Sequence, residues 1–117
     1  MRIGELAKKS GLSASRIRFY EAQKVLPKPA RGKNGYREYP DTAVTTLRLI
    51  DDAQRLGFSL GGIRDALTQA APRLPSRKAM LEALECQLVS IDQHIQEAKS
   101  RRKKIVKLLA ELGASCK

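Results

Sequence analysis

The chain has 117 residues, of which 42% are hydrophobic and 4% aromatic, and it contains no tryptophan. This length fits one compact domain with an appendage, and the composition predicts a mainly helical fold around a small core of Leu, Ile, Val and Ala. No stretch approaches the roughly 20 apolar residues that span a bilayer, and residues 1–5 are not the apolar run of a signal peptide. We therefore expect no membrane partner and a cytoplasmic location.

The positive charge is concentrated in the first third of the chain. Twenty-three Lys and Arg residues against twelve Asp and Glu give a net charge of +11. Residues 1–40 hold ten of the bases and three of the acids, residues 41–76 are balanced, and residues 77–117 hold nine bases and five acids. Such a distribution predicts a polyanionic partner, double-stranded DNA, contacted by the N-terminal part of the chain.

Two short helices are predicted at the start of the chain. Apolar residues recur at helical spacing from Ile3 to Lys9, and Gly11 offers a stop. Ser13 can cap a second helix in which Ile17 faces the core. Two short helices joined by a glycine-containing turn are typical of a helix-turn-helix.

The second helix carries the first candidate DNA contacts. In a helix-turn-helix its N-terminal residues enter the major groove. With Ile17 turned inward, the side chains left outside are those of Ser15, Arg16, Arg18 and Phe19. An arginine can contact guanine with two hydrogen bonds or can hold phosphate, and the sequence does not decide between these roles. A solvated surface charge is the alternative for Arg16 and Arg18.

A basic β-hairpin is predicted next, and we name residues 25–40 the wing. Asn34-Gly35 predicts a two-residue type I′ turn, which needs positive φ at both positions. The candidate DNA contacts of the wing are Arg31, Lys33, Tyr36, Arg37 and Tyr39. Either tyrosine could instead be a core anchor, an alternative that fits Tyr39 better because Tyr36 immediately follows the turn.

The remaining predicted elements are a third helix over residues 41–56 that ends at Gly57, a fourth capped by Ser59, and a last, long helix. These boundaries predict a winged helix-turn-helix domain at residues 1–71, a proline-containing linker at 72–76, a dimerisation helix at 77–112 and a tail at 113–117.

The last helix carries a heptad pattern that we name the seam. It would be roughly 54 Å long, and a rod of that length needs a partner, which we expect to be a second copy of the chain. The alternative is that its apolar face covers the core of its own chain. The basic residues of 101–104 and Lys107 are best explained as a solvated face that complements the helix dipole. The seam positions are Leu81, Leu84, Leu88, Ile91, Ile95, Ala98, Ile105, Leu109 and Leu112, interrupted by Arg102.

The order of these motifs resembles the MerR family, the mercury-resistance-regulator class of bacterial transcription factors. The resemblance rests on residues 3–7 (IGELA), 17–21 (IRFYE), 34–37 (NGYR) with Tyr39, and 56–60 (LGFSL). It implies a winged helix-turn-helix followed by an antiparallel coiled coil that makes a homodimer. It also implies binding to a pseudo-palindrome in a promoter, where an effector makes the dimer bend and untwist the DNA for RNA polymerase. By position, the family's DNA contacts correspond to Arg18, Arg31, Tyr36, Arg37 and Tyr39.

The sequence departs from the family pattern at several places. Lys24 stands where the family usually has glycine, and Gly61-Gly62 replace a common acidic pair, which leaves the local turn and helix start open. Where metal-sensing members have thiolates, this chain has Arg77 and Leu112.

The candidate effector residues that remain are Cys86, Cys116 and His94. Each cysteine is a weak metal candidate, with an ordinary free thiol and redox sensing as the alternatives. His94 reads as an ordinary surface residue. The sequence therefore identifies no effector and no cofactor.

Three classes of function follow from the sequence. The first is a promoter-specific regulator, the second a non-sequence-specific architectural DNA binder, and the third a coiled-coil adaptor whose winged domain binds protein. An enzyme is disfavoured because there is one histidine, no glycine-rich phosphate loop and no paired-carboxylate motif.

Overall fold

The computed structural model describes residues 1–113, which form two compact units that divide after Ser76. Five α-helices lie in this part of the chain and no named strand does, so the mainly helical prediction is confirmed. No helix among the described residues combines the length and apolarity needed to cross a membrane. The helices are α1 (Ile3–Ser10), α2 (Ala14–Ala22), α3 (Thr42–Arg55), α4 (Leu60–Ala70) and α5 (Arg77–Glu111).

The predicted caps set the ends of the short helices. Gly11 lies at φ +77°, where it ends α1 and donates its N–H to the carbonyl of Ala7. Ser13 caps α2 by accepting the N–H of Arg16 at 3.1 Å. Ser59 caps α4 in the same way, accepting the N–H of Gly62 at 3.0 Å. The two glycines after Leu60 therefore do not disturb the start of α4.

The end of α2 shows what the lysine at position 24 does. The N–H of Val25 donates to the carbonyl of Tyr20, and the N–H of Lys24 donates to that of Glu21, both at 3.0 Å. These two bonds make a Schellman motif, which needs a left-handed residue just beyond the helix. Lys24 supplies it with φ +60°. The turn is thus retained without glycine, at a backbone cost of about 1 kcal/mol.

The wing differs from its prediction. Arg31 and Arg37 form a single antiparallel bridge, and the N–H of Gly35 donates to the carbonyl of Gly32 at 3.0 Å. Gly35 has φ +79°, whereas Asn34 is not among the described residues with positive φ. The two-residue type I′ turn was therefore wrong. A turn followed by one left-handed glycine is the arrangement of a three-residue hairpin loop.

The hydrophobic core lies in the first unit, and one face of α2 packs against it. Ten hydrophobic side chains are buried among the described residues, and five of them are fully enclosed: Leu6, Ile17, Tyr20, Leu47 and Ile50. Because Ile17, Tyr20 and Glu21 form the buried face of α2, the opposite face of that helix is left outside.

Helix α5 is described by itself. It contains 35 residues, ends one residue earlier than predicted, and buries none of its side chains. At 1.5 Å per residue it is about 52 Å long. Leu88 and Ile105 of the seam are 60% and 57% exposed. Pairing of the seam with a second copy therefore stays a prediction.

Replacing Lys24 with glycine tests the account of this turn. Lys24→Gly should raise the free energy of unfolding by about 0.5–1 kcal/mol, because glycine adopts the left-handed conformation without the side-chain clash. Gln23→Gly is the matched control, since Gln23 has φ −79° and glycine there only adds entropy to the unfolded chain. Urea unfolding of both variants measures the difference. A loss of stability in Lys24→Gly would contradict the account.

Candidate nucleic-acid interface

The outer face of α2 presents the side chains that the sequence predicted. Ser15, Arg16, Arg18 and Phe19 are all exposed. Phe19 is 43% exposed although it is a large apolar residue. An exposed aromatic side chain next to an arginine can make apolar contact with a thymine methyl group in the major groove.

Arg16 is exposed but already engaged. Its Nε lies 3.2 Å from the Tyr20 hydroxyl and 3.5 Å from Asp51 Oδ1, and its Nη2 donates to Gln54 Oε1 at 3.3 Å. The Tyr20 hydroxyl in turn lies 3.3 Å from Asp51 Oδ1 and 3.0 Å from Gln54 Oε1. The guanidinium is thus fixed in place against α3, rather than being a freely solvated charge.

Arg18 lies in a depression that also includes part of the wing. We name it the arginine depression; it has a volume of about 390 Å³ and opens to solvent. Guanidinium groups and a phenol donate hydrogen bonds in directions that suit phosphate oxygens. The depression therefore has the chemistry of a phosphate-binding surface. Its lining residues are Arg2, Ile3, Arg18, Tyr36, Arg37 and Tyr39.

Arg2 is a residue of this surface that the sequence did not predict. Its guanidinium carbon lies 4.3 Å from the centre of the Tyr36 ring, within the range of a cation–π interaction. Tyr36 is itself 59% exposed. The sequence signal for Arg2 was only a positive charge near the start of the chain, because nothing local connects it with a residue 34 positions away.

Glu21 is the second residue that the sequence did not single out. It is 3% exposed, and its Oε2 lies 2.6 Å from Nη1 of Arg37. Its Oε1 accepts the hydrogen bond of the Tyr39 hydroxyl. This buried carboxylate joins α2 to the wing directly behind the arginine depression.

Tyr39 is a core residue. It is 3% exposed, and burial raises its pKa above the usual value of 10.0, with the adjacent Glu21 carboxylate acting in the same direction. The expectation that its hydroxyl lies at the surface for DNA is therefore corrected, and the core-anchor alternative holds. Burial likewise raises the pKa of Tyr20.

The other predicted residues do not line the arginine depression. Lys33 and Arg31 are exposed on the wing but are not among the residues that line the depression. Cys86 is exposed on α5, as is His94, and Cys116 lies outside the described residues. Within residues 1–113 no group of three or more His, Cys, Asp or Glu side chains could hold a metal ion.

Comparison with known families assigns the chain. The profile described as MerR HTH family regulatory protein matches residues 1–70, and the profile described as MerR, DNA binding matches residues 44–108. The chain belongs to the MerR family. It is therefore a DNA-binding transcriptional regulator, which is a non-enzymatic class of protein.

Individual relatives cover nearly the whole chain. The transcriptional regulator CueR of Yersinia pestis is 34% identical over 122 residues, covering 99% of this chain and 86% of that protein. The regulator PbrR691 of Ralstonia metallidurans CH34, solved in complex with lead(II), is 30% identical with a TM-score of 0.61, covering 96% of this chain and 82% of that one. HiNmlR, a MerR family regulator lacking the sensor domain and bound to promoter DNA, is 23% identical with a TM-score of 0.63 and shows the same fold; the match covers 97% of this chain and 91% of that one.

The affinity for DNA should depend directly on Arg18. Arg18→Ala should weaken binding to a selected operator duplex by at least about 1 kcal/mol, because it removes a base or phosphate contact. Lys28→Ala is the control: it removes the same charge at an exposed position that does not line the arginine depression. Fluorescence titration of labelled duplex measures both. Equal losses for the two variants, or no loss for Arg18→Ala, would contradict the assigned surface.

Proposed function

We propose that this protein is a homodimeric regulator that binds a pseudo-palindromic promoter operator and acts on transcription by distorting that DNA. The observation that carries the proposal is an apolar seam with no buried side chain, on a chain whose first unit presents the arginine depression. We name the first unit of each chain, residues 1–76, the head. One head binds one half-site, and a palindrome needs two heads held at a fixed separation. The seam provides the means of joining them.

A second copy is the partner that fits the seam best. Its apolar positions alternate at spacings of three and four residues over about four heptads, the pattern of a two-stranded coiled coil. An apolar stripe of this length is not left in water in a stable protein. Most soluble oligomers are symmetric homodimers, in which the same surface is used by both copies.

The charged seam residue favours antiparallel pairing. In a parallel pair each seam position faces its own copy, so Arg102 would lie against Arg102 of the partner subunit. In the antiparallel pair that uses the seam from Leu81 to Leu112, Arg102 instead faces Ile91 of the partner subunit. A like-charge contact within the interface is thereby avoided.

The same register brings opposite charges together beside the seam. The two-fold axis of this register lies between Gln96 and Glu97. Beside the seam, Asp92 therefore lies next to Lys99 of the partner subunit. The symmetry of the dimer makes this pair occur twice. Within one helix these two residues are seven positions, or about 10 Å, apart along the axis and cannot pair directly. Any strong coupling between them must therefore come from the dimer.

A charge exchange tests the dimer and its register together. Asp92→Lys and Lys99→Asp should each weaken the dimer, raising its dissociation constant about tenfold, because two attractive pairs become repulsive. The double variant should restore the unmodified value. Lys104→Asp, at an outward heptad position, is the control and should change little. Sedimentation equilibrium that shows a monomer throughout, or no restoration in the double variant, would contradict the proposal.

The alternative is an architectural DNA binder that uses the same basic surface without sequence choice. Selection of bound duplexes from a random library, together with mapping of bound sites on the genome, separates the two. We expect a palindrome centred on a promoter spacer, and binding that survives competition by random DNA at fixed salt. Binding that follows only DNA length and salt concentration would support the architectural alternative.

The mechanism would combine DNA deformation with an effector. Two heads at a fixed separation favour DNA that bends and untwists to reach both of them. The energy of this deformation depends on the DNA sequence and so adds to specificity. The deformed promoter is then in a form that RNA polymerase can use. The positions at which metal-sensing members have thiolates carry Arg77 and Leu112 here. A thiolate site at these two places is therefore not supported, and an effector would bind elsewhere. Promoter regulation places the protein in the bacterial cytoplasm, where the DNA lies.

A further inference from the structure

Glu21 is a buried acid directly beneath a surface that is otherwise cationic. Both of its oxygens are engaged, one by Nη1 of Arg37 at 2.6 Å and the other by the hydroxyl of Tyr39. Burying a carboxylate is costly unless charged and hydrogen-bonding partners compensate it. Both of these partners belong to the wing, while Glu21 belongs to α2, so the compensation exists only when the wing is seated on the helix.

Other contacts hold the wing to the start of the chain: Met1 and Tyr39 exchange two backbone hydrogen bonds at 2.6 and 2.7 Å, and the Met1 amino group lies 3.2 Å from Oε2 of Glu38. The contacts of Glu21 differ from these because they join the wing to α2.

Inside the wing, the backbone bonds are those of the turn, one from the N–H of Gly32 to the carbonyl of Tyr36 at 2.6 Å, and one from the N–H of Glu38 to the carbonyl of Ala30 at 3.0 Å. A single short hairpin is marginally stable by itself in water. The position of its side chains relative to α2 therefore depends on contacts with the rest of the unit.

Glu21 also lies one helical turn beyond Arg18. The two residues are three positions apart on α2, with Arg18 exposed in the arginine depression and Glu21 buried behind it. By holding Arg37, the Glu21 carboxylate sets the position of the Arg37 guanidinium relative to that of Arg18. Two phosphate or base contacts can be made together only if that spacing is correct.

We propose that Glu21 is a positioning residue for operator recognition. It does not touch DNA; it seats the wing on α2 and sets the spacing between Arg18 and Arg37. The inference rests on the proposed function, because spacing matters for a defined operator and not for uniform attraction to phosphate.

The charge of Glu21 makes the inference testable. A negative group near DNA opposes binding, so an acid that acted through charge alone would weaken binding to every duplex, and its removal would strengthen binding to every duplex. A positioning residue has the opposite effect on the operator. The ratio of affinities for operator and scrambled duplex separates the two roles.

The test uses Glu21→Gln, which keeps the shape of the side chain and removes the charge that holds Arg37. Affinity for an operator duplex, selected by the unmodified protein from random sequences, should fall about tenfold, the size of one charge-assisted hydrogen bond. Affinity for a scrambled duplex of the same length should stay equal or increase. Glu5→Gln is the matched control, since it makes the same charge change at an exposed glutamate and also releases a base, Lys9 at 3.2 Å. Its affinity ratio should not change.

A double-mutant cycle shows whether Glu21 acts through Arg37. In an Arg37→Ala background, Glu21→Gln should reduce operator affinity by much less than tenfold, because the group being positioned is already gone. Full additivity of the two losses would overturn the assignment.

A measurement without DNA keeps the inference independent of the operator. Hydrogen exchange in residues 30–39 should be faster in Glu21→Gln, while exchange in α1 and α3 should stay unchanged. Tyr39→Phe, which removes one bond to the carboxylate and keeps the ring, should give a smaller increase in the same peptides. Unchanged exchange in the wing, or a general increase across α1 and α3 in both variants, would overturn the positioning role. If the unmodified protein selects no operator, the proposed function fails, and the exchange result still decides whether Glu21 seats the wing.

Discussion

The buried face of α2 is the constraint on which the rest of the structure depends. Ile17 and Tyr20 are fully enclosed, and Glu21 is nearly so. Because these three positions occupy one side of a nine-residue helix, Arg18 and Phe19 are necessarily turned outward. The outward face of α2, the candidate recognition surface, is therefore fixed by the core. The polar groups on the buried face also make hydrogen bonds to neighbouring elements: the Tyr20 hydroxyl bonds to α3, and the Glu21 carboxylate bonds to the wing.

Local chemistry made much of the fold predictable from the sequence. Ser13, Ser59 and Gly11 act within three or four residues of their own positions, so the helix boundaries that they set could be predicted without tertiary information. The contacts between residues far apart in the chain could not be predicted in this way. Arg2 reaches Tyr36, and Glu21 reaches Arg37, across stretches of chain that carry no local sign of the meeting.

Two local predictions also failed for identifiable reasons. The Asn34-Gly35 pair favours a type I′ turn, but here the Asn34 side chain accepts the N–H of Tyr36 at 3.4 Å and only the glycine is left-handed. Tyr39 was a candidate DNA contact of the basic wing, with a core anchor as the alternative. Its partner, Glu21, is what draws it into the core, and that partner comes from α2.

The family assignment and the features of this chain fit together at the level of the dimer. The fold and the motifs are those of the MerR family. In the dimer that we propose, the seam on α5 joins two heads, and the arginine depressions face two half-sites. The family resemblance places Arg77 and Leu112 where metal-sensing members have thiolates, and on that ground we propose no thiolate site at these two positions.

The most direct test of the account is the stoichiometry of the complex on DNA. Sedimentation velocity should be compared for a duplex carrying both half-sites and for one in which a single half-site has been scrambled. The account predicts two chains on the intact operator and a large loss of affinity for the half-scrambled duplex, because both heads must be seated at once. One chain per duplex, or equal affinity for the two duplexes, would contradict it.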